Sequence, residues 1–250
     1  MKDFLIIAHC KRSDGIPHWL HAATMEQLLK PCRFAHIYET EAFDIGQSRQ
    51  TAAEMFLKVP EATLLLFVDD DIAIPKADSL MKMVEVMEAK NISIISGLYV
   101  RKDRTGIEKE IPLIMACEDR GGGQLAFGFP FKDKPYPPST LIKVGAVPAG
   151  FLLIKREVLE KTPPPWFVYG SSEFTKKHGE DIYFSMKTRK AGFSLFVDTY
   201  VELLHYVPHW AGNPELIRLV LKDSSTLPTQ LEEMRKCLSN KTENAHAADA

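Results

Sequence analysis

Leu64-Leu65-Leu66-Phe67-Val68-Asp69-Asp70-Asp71-Ile72 decides the fold: an apolar run of strand length breaks into three carboxylates with no turn residue between. An unbroken apolar run predicts a strand buried on both faces, hence a parallel sheet with helices above and below. Acids at the carboxyl end of such a strand stand where open α/β sheets bind their ligands. Three adjacent carboxylates repel one another, and a divalent cation relieves that repulsion. Oxygen-only ligands select Mg2+ or Mn2+ over zinc. Acids also favour a solvated turn after a strand, so this stretch alone leaves both readings open.

Working outward, the amino-terminal side alternates. Phe4–Ala8 reads as a buried strand and Phe34–Tyr38 as a second. Between them, His18–Leu29 carries Leu20, Met25, Leu28 and Leu29 at helical spacing and stops before Pro31. Thr51–Leu57 belongs to a second helix ending before Pro60. Strand, helix, strand, helix, strand predicts an α/β, doubly wound, mostly parallel sheet. Downstream, Ser79–Lys90 reads as a helix and Ile92–Val100 as a strand. Val144–Ile154 is strand-like but interrupted at Pro148-Ala149-Gly150, where glycine lets backbone approach a ligand closely. Lys155–Lys161 starts a short helix, and Gly179 leads into another that runs to Lys190. Phe193–Val197 and Val201–Tyr206 are the last strand-like pieces. Glu118 to Gly123 reads as a mobile turn, and beyond Pro214 come a helix (Leu216, Leu219, Val220) and a polar tail expected to be disordered.

The totals bound the function. In 250 residues, 45% apolar and 26% charged content describe an ordinary globular chain with a proper core. A net charge of -2 argues against nucleic-acid binding through bulk positive charge; the cluster Arg101, Lys102 and Arg104 reads as a solvated face. Cys10, Cys32, Cys117 and Cys237 form no Cys-x-x-Cys pair, which suits a reducing compartment without structural zinc. No apolar run reaches spanning length and none resembles a signal peptide, so no membrane span is expected and the cytoplasm is the expected location.

Three further features lie at the ends of elements. Glu180 and Asp181 open a helix, where they complement its dipole or serve as a general base. His205 follows a strand, where a lone histidine is more often a hydrogen-bonded structural residue than a ligand. Trp166-Phe167 after three prolines reads as a core anchor before it reads as a sugar platform.

Taken in order, these pieces resemble GT-A fold glycosyltransferases of the family 2-like kind. Phe67-Val68-Asp69-Asp70-Asp71 looks like their Asp-x-Asp motif. Val147 to Val158, with Arg156-Glu157-Val158, resembles their small-residue strand and following helix start. Gly179-Glu180-Asp181-Ile182-Tyr183-Phe184 with Ala191-Gly192-Phe193 is similar to their Glu-Asp motif, and Leu203-Leu204-His205 to the histidine ending the catalytic core. The resemblance covers residue 4 to about 210. It implies a GT-A (Rossmann-like) catalytic domain over 1–213, with 214–250 a C-terminal helix and tail. It also implies a nucleotide-sugar donor, Mn2+ or Mg2+, and an acceptor left open among glycan, lipid, protein and nucleic acid.

By the same resemblance Asp71, Asp69 and His205 would hold the metal, Asp69 and Asp70 would face the donor, and Asp181 would be the base with Glu180 beside it. Ala149 and Gly150 would line the sugar with backbone, Trp166 would stand on the acceptor side, and Glu39 and Arg49 would contact the nucleotide. The nucleotide end departs from the pattern: Ala8-His9-Cys10-Lys11-Arg12 and Tyr38-Glu39-Thr40 stand where relatives carry other sequences, so the base is left open. Two alternatives compete. A haloacid dehalogenase-type phosphohydrolase also has an Asp-x-Asp after an apolar strand, normally the first strand, and a non-catalytic nucleotide-sugar-binding module would keep the fold alone. Replacing Asp71 with Ala is expected to abolish turnover and metal-dependent donor binding; full activity in that variant would end the metal assignment.

Overall fold

The computed structural model describes residues 4–11, 35–41, 44–102, 110–119, 125–170, 178–207 and 209–211. The chain divides into two units, 1–212 and 213–250. The second unit, with its expected helix and tail, lies outside the described residues; so do the expected helix His18–Leu29, Arg104 and the glycines of the expected turn.

In chain order the first half holds β1 (Phe4–Lys11), β2 (Ala35–Glu41), α1 (Ile45–Leu57), β3 (Ala62–Asp69), β4 (Ile72–Ala73), α2 (Ser79–Ala89) and β5 (Ile94–Leu98). Short strands follow: β6 (Val100–Lys102) pairs with β7 (Glu110–Pro112), and β8 (Ala116–Asp119) with β9 (Leu125–Gly128). The second half holds β10 (Leu141–Val144), β11 (Phe151–Lys155), α3 (Arg156–Lys161), α4 (Glu180–Lys190), β12 (Leu195–Glu202), β13 (Leu204–Val207) and β14 (His209–Ala211).

Seven strands form the central sheet in the order β10-β12-β5-β11-β3-β1-β2. The pairs β1–β2, β1–β3 and β5–β12 are parallel, whereas β3–β11, β5–β11 and β10–β12 are antiparallel. The expected mostly parallel sheet is therefore corrected to a mixed one. An apolar run reports burial on both faces and is silent about the direction of the neighbouring strand. β11 enters between β3 and β5 from the Pro148-Ala149-Gly150 corner and runs against both. The two pieces expected over 193–206 also differ: β12 is continuous through Asp198-Thr199-Tyr200, with a register irregularity before Glu202, and the break falls at Leu203.

Alternation along β3 explains where the acids go. Leu65 and Phe67 join a core with Ala52, Ala53 and Phe56 of α1, Val158 and Leu159 of α3 and Phe184 of α4. Leu64, Leu66 and Val68 pack on the other side with Leu80, Met83 and Met87 of α2. Since successive side chains alternate in face, Asp69 emerges on the side of Leu65 and Phe67, toward α1 and α4. Trp166 and Phe167 complete that layer: Phe167 stacks on Phe184 at 4.8 Å and meets Phe67 edge-on at 5.1 Å.

Arg156, within the stretch that resembles a family helix start, has a structural task. Its Nε donates to Ala62 O at 2.7 Å and Nη2 to Phe56 O at 3.1 Å and to Val59 O, while the guanidinium lies 4.9 Å from the Phe56 ring. A cation at the last carbonyls of α1 satisfies acceptors the helix leaves open and complements its dipole. Arg156→Ala should cost about 2 kcal/mol of stability, because hydrogen bonds to a charged group are lost, and Arg156→Lys should restore only part; urea unfolding of the three proteins checks this.

Candidate active site

The site gathers at the end of β3. Asp44 caps α1, accepting the Gln47 N–H at 2.8 Å, and one turn later Arg49 is buried at the helix's inner face. Its Nη2 meets Asp69 Oδ1 at 2.5 Å and its Nη1 pairs with Glu180 Oε1. One guanidinium thus joins the last residue of β3 to the first residue of α4, and a fork of fixed donors suits two carboxylates at once. Gly46 lets the helices approach: a Cβ there would stand 3.2 Å from that of Glu180.

Asp181 follows Glu180 and is half-buried; its Oδ1 accepts the Ile182 N–H at 2.7 Å. Burial pushes its carboxyl above the ordinary range, Arg49 and the Ile182 N–H pull it back, and the Asp69 charge adds to the rise. Asp69 backbone N–H donates to Gly150 O at 2.9 Å, so the corner before β11 lies directly against the acid. Ala149 beside it is buried. A Cβ on Gly150 would crowd the Tyr99 hydroxyl at 2.7 Å and Asp69 Oδ2 at 3.0 Å; glycine here makes room for two polar side chains.

Asp70 and Asp71 are both buried. β4, immediately after them, pairs with β13 so that Ile72 faces His205, and this ladder brings His205 Nε2 to 3.3 Å from Asp71 Oδ2. Nδ1 of His205 stands 3.1 Å from Val100 O. Both ring nitrogens face acceptors, so the two contacts are made together by the protonated imidazole, and Nδ1–H donating to the carbonyl holds Nε2 toward Asp71. Burial works to lower the His205 pKa, but the hydrogen bond and charge of Asp71 outweigh it and raise it.

The predicted residues therefore meet unequally. Asp69, Arg49, Glu180, Asp181, Gly150, Asp71 and His205 lie in one connected network. Asp69 and Glu180, expected on the metal or donor and beside the base, are both engaged by Arg49, so Arg49 is a cross-brace between acids with its guanidinium buried. Trp166 is buried in the core with Nε1 donating to Thr162 O at 2.7 Å, so its ring is the anchor rather than an open platform. Glu39 lies in β2 opposite His9, and its side chain lies outside the described residues. Tyr99 went unnoticed in the sequence, where a tyrosine after an apolar strand carries no signal.

No three His, Cys, Asp or Glu side chains gather as a metal-holding group among the described residues. Asp71 and His205 instead give one oxygen and one imidazole nitrogen, a partial set of the kind a divalent ion completes with substrate phosphates and water. An imidazole beside a carboxylate suits a transition ion such as Mn2+ rather than Mg2+, which takes oxygen ligands.

No protein-family model matches the chain, and no curated protein matches it. Among solved structures, A197 from STIV is similar at a TM-score of 0.55 and 19% identity, over 81% of this chain and 85% of that one. GalNAc-T7, solved with UDP, GalNAc and Mn2+, gives a TM-score of 0.45 at 13% identity, over 93% of this chain and 53% of its own, so the chain spans about half its length. The likeness to A197 gives the chain a GT-A-like, mixed α/β fold. Among the described residues no helix is long and apolar enough to cross a membrane.

Removing the cation that joins the buried Glu180 to the partly buried Asp69 should be costly. Arg49→Gln is expected to lose about 3–5 kcal/mol of stability, and adding Glu180→Gln should recover part of it; denaturant unfolding of both single variants and the double variant reads the coupling.

Proposed function

We propose that the chain is a divalent-metal-assisted glycosyltransferase that moves a sugar from a nucleotide-sugar donor to an acceptor hydroxyl, with inversion. The observation that carries this reading is the joining of two half-sites at the end of β3: Asp71 with His205 on one side, and Asp69 braced through Arg49 to the start of α4, where Asp181 stands, on the other.

Asp181 would act as the base. Its carboxyl, lifted by burial, is a better proton acceptor than an exposed aspartate. It would take the proton of the acceptor hydroxyl as that oxygen bonds to the anomeric carbon and the nucleoside diphosphate leaves. A single displacement of this kind inverts the anomeric centre. A divalent ion at Asp71 and His205, when bound, would supply charge neutralisation for the departing diphosphate. Arg49 would hold Asp69 in place and, as a fixed positive charge, keep Asp181 from rising further. The phosphohydrolase alternative fits less well, because its nucleophile would be Asp69, whose Oδ1 is tied to a guanidinium.

A panel of sugar nucleotides with Mn2+ tests the reading by thermal shift, followed by assay of nucleoside diphosphate release. Stabilisation and donor cleavage are expected for at least one member; phosphate release from simple monoesters without a sugar donor would overturn it. Because the base must be deprotonated, kcat/KM should fall on the acid side with a limb above the ordinary aspartate range. Asp181→Asn should lower kcat about 10²–10⁴-fold and remove that limb, as a pH–rate profile would read.

A further inference from the structure

Tyr99 touches both halves of the site and has no part in the mechanism above. It follows β5 directly and is 7% exposed. At its outer end Oη accepts the Gly150 N–H at 3.1 Å, and Gly150 O in turn accepts the Asp69 N–H at 2.9 Å. At its root the backbone carbonyl accepts the Leu113 N–H at 3.0 Å. A buried side chain pinned at both ends keeps one orientation. Between those anchors the ring meets the His205 imidazole at 5.3 Å, with the two planes inclined by 66°, the edge-to-face geometry that aromatic pairs favour.

The histidine has a use for that neighbour. Pairing of β13 with β4 places the His205 backbone opposite Ile72, and Val100 O stands 3.1 Å from Nδ1. One hydrogen bond sets a direction but leaves the imidazole able to rock about it, and rocking swings Nε2 away from Asp71 Oδ2, 3.3 Å distant. A fixed ring packed against the imidazole removes that freedom. Two consecutive residues thus hold the histidine, Val100 by its carbonyl and Tyr99 by its ring.

We propose that Tyr99 is a positioning residue whose ring keeps His205 Nε2 aimed with Asp71 at a shared divalent ion, while its hydroxyl secures the Gly150 corner beside Asp69. This rests on the metal-assisted transferase reading and adds to it that the ion's affinity depends on a residue that does not touch it, as partners of metal-binding histidines commonly do. The two tasks are separable, because one uses the ring and the other the hydroxyl.

Titration of the full chain with Mn2+ alone, with the free ion followed by electron paramagnetic resonance, compares wild type with Tyr99→Leu and Tyr99→Phe. Tyr99→Leu should weaken Mn2+ binding about two- to tenfold, the range of one aromatic pair. Tyr99→Phe keeps the ring and should bind Mn2+ as wild type does, yet unfold at lower urea because the Gly150 N–H loses its acceptor. Tyr99→Met replaces the leucine variant if that one does not fold. Arg156→Ala, altered beyond the far end of β11, should bind Mn2+ normally, which separates lost stability from lost aim. In a His205→Ala background Tyr99→Leu should weaken binding no further. Wild-type affinity in Tyr99→Leu, an equal loss in Tyr99→Phe or Arg156→Ala, or a further loss of the same size without His205 overturns the role of Tyr99 and leaves the metal reading standing. If the wild type binds no Mn2+, the metal-assisted reading falls and this inference with it.

Discussion

The pairing of Arg49 with Asp69 and Glu180 is the contact on which the rest of the site depends. Asp69 and Glu180 belong to elements far apart in sequence, and both are turned inward by the packing of the elements that carry them. Without a cation between them, the end of β3 and the start of α4 would repel, and burial would favour protonation over close approach. With Arg49 in place, α1, β3 and α4 are tied at a single point. The capped start of α1 and the bare Gly46 both serve that approach, one by fixing where the helix begins and the other by removing the Cβ that would hold α4 away. A buried ion pair adds little net stability compared with an apolar substitute; what it contributes here is a defined position for charge, which an apolar contact cannot supply.

The second organising feature is the reversed strand. β11 turns back along β3 after Pro148-Ala149-Gly150, and that corner is held from several sides. Ser96 Oγ lies 2.9 Å from Pro148 O and 3.2 Å from Phe151 O, and Ser185 Oγ of α4 accepts the Val147 N–H at 3.0 Å. The corner backbone therefore has little freedom, and its two polar groups at Gly150 meet Asp69 on one side and Tyr99 on the other. A parallel strand in the same place would have had to enter from the opposite rim, and this corner would not exist beside the acids.

Much of this was legible in the sequence, for stated physical reasons. The β3 run was readable because a strand buried on both faces cannot hide its composition, and Asp69 after it announced the rim. The start of α4 was readable because acids in a first turn complement a helix dipole. The direction of β11 was not readable, since periodicity reports burial and not partner orientation. The pairing of Arg49 with Asp69 and Glu180 was not readable for a similar reason: an arginine on a helix looks the same whether it faces a ligand or two carboxylates of its own chain. In the sequence Trp166 fits an anchor or a platform equally; the indole N–H donating to Thr162 O makes it an anchor. The Asp71–His205 contact depends on a two-residue strand, β4, too short to leave a pattern.

The partners in this site are separated by most of the described chain: Arg49 and Glu180 by 131 positions, Asp71 and His205 by 134. Contacts of such long range make folding slow, because loop entropy must be overcome before they form. During translation the early strands would emerge with their acids unbraced. Only when β13 clears the ribosome do both partners of the Asp71–His205 contact exist, so this contact forms late.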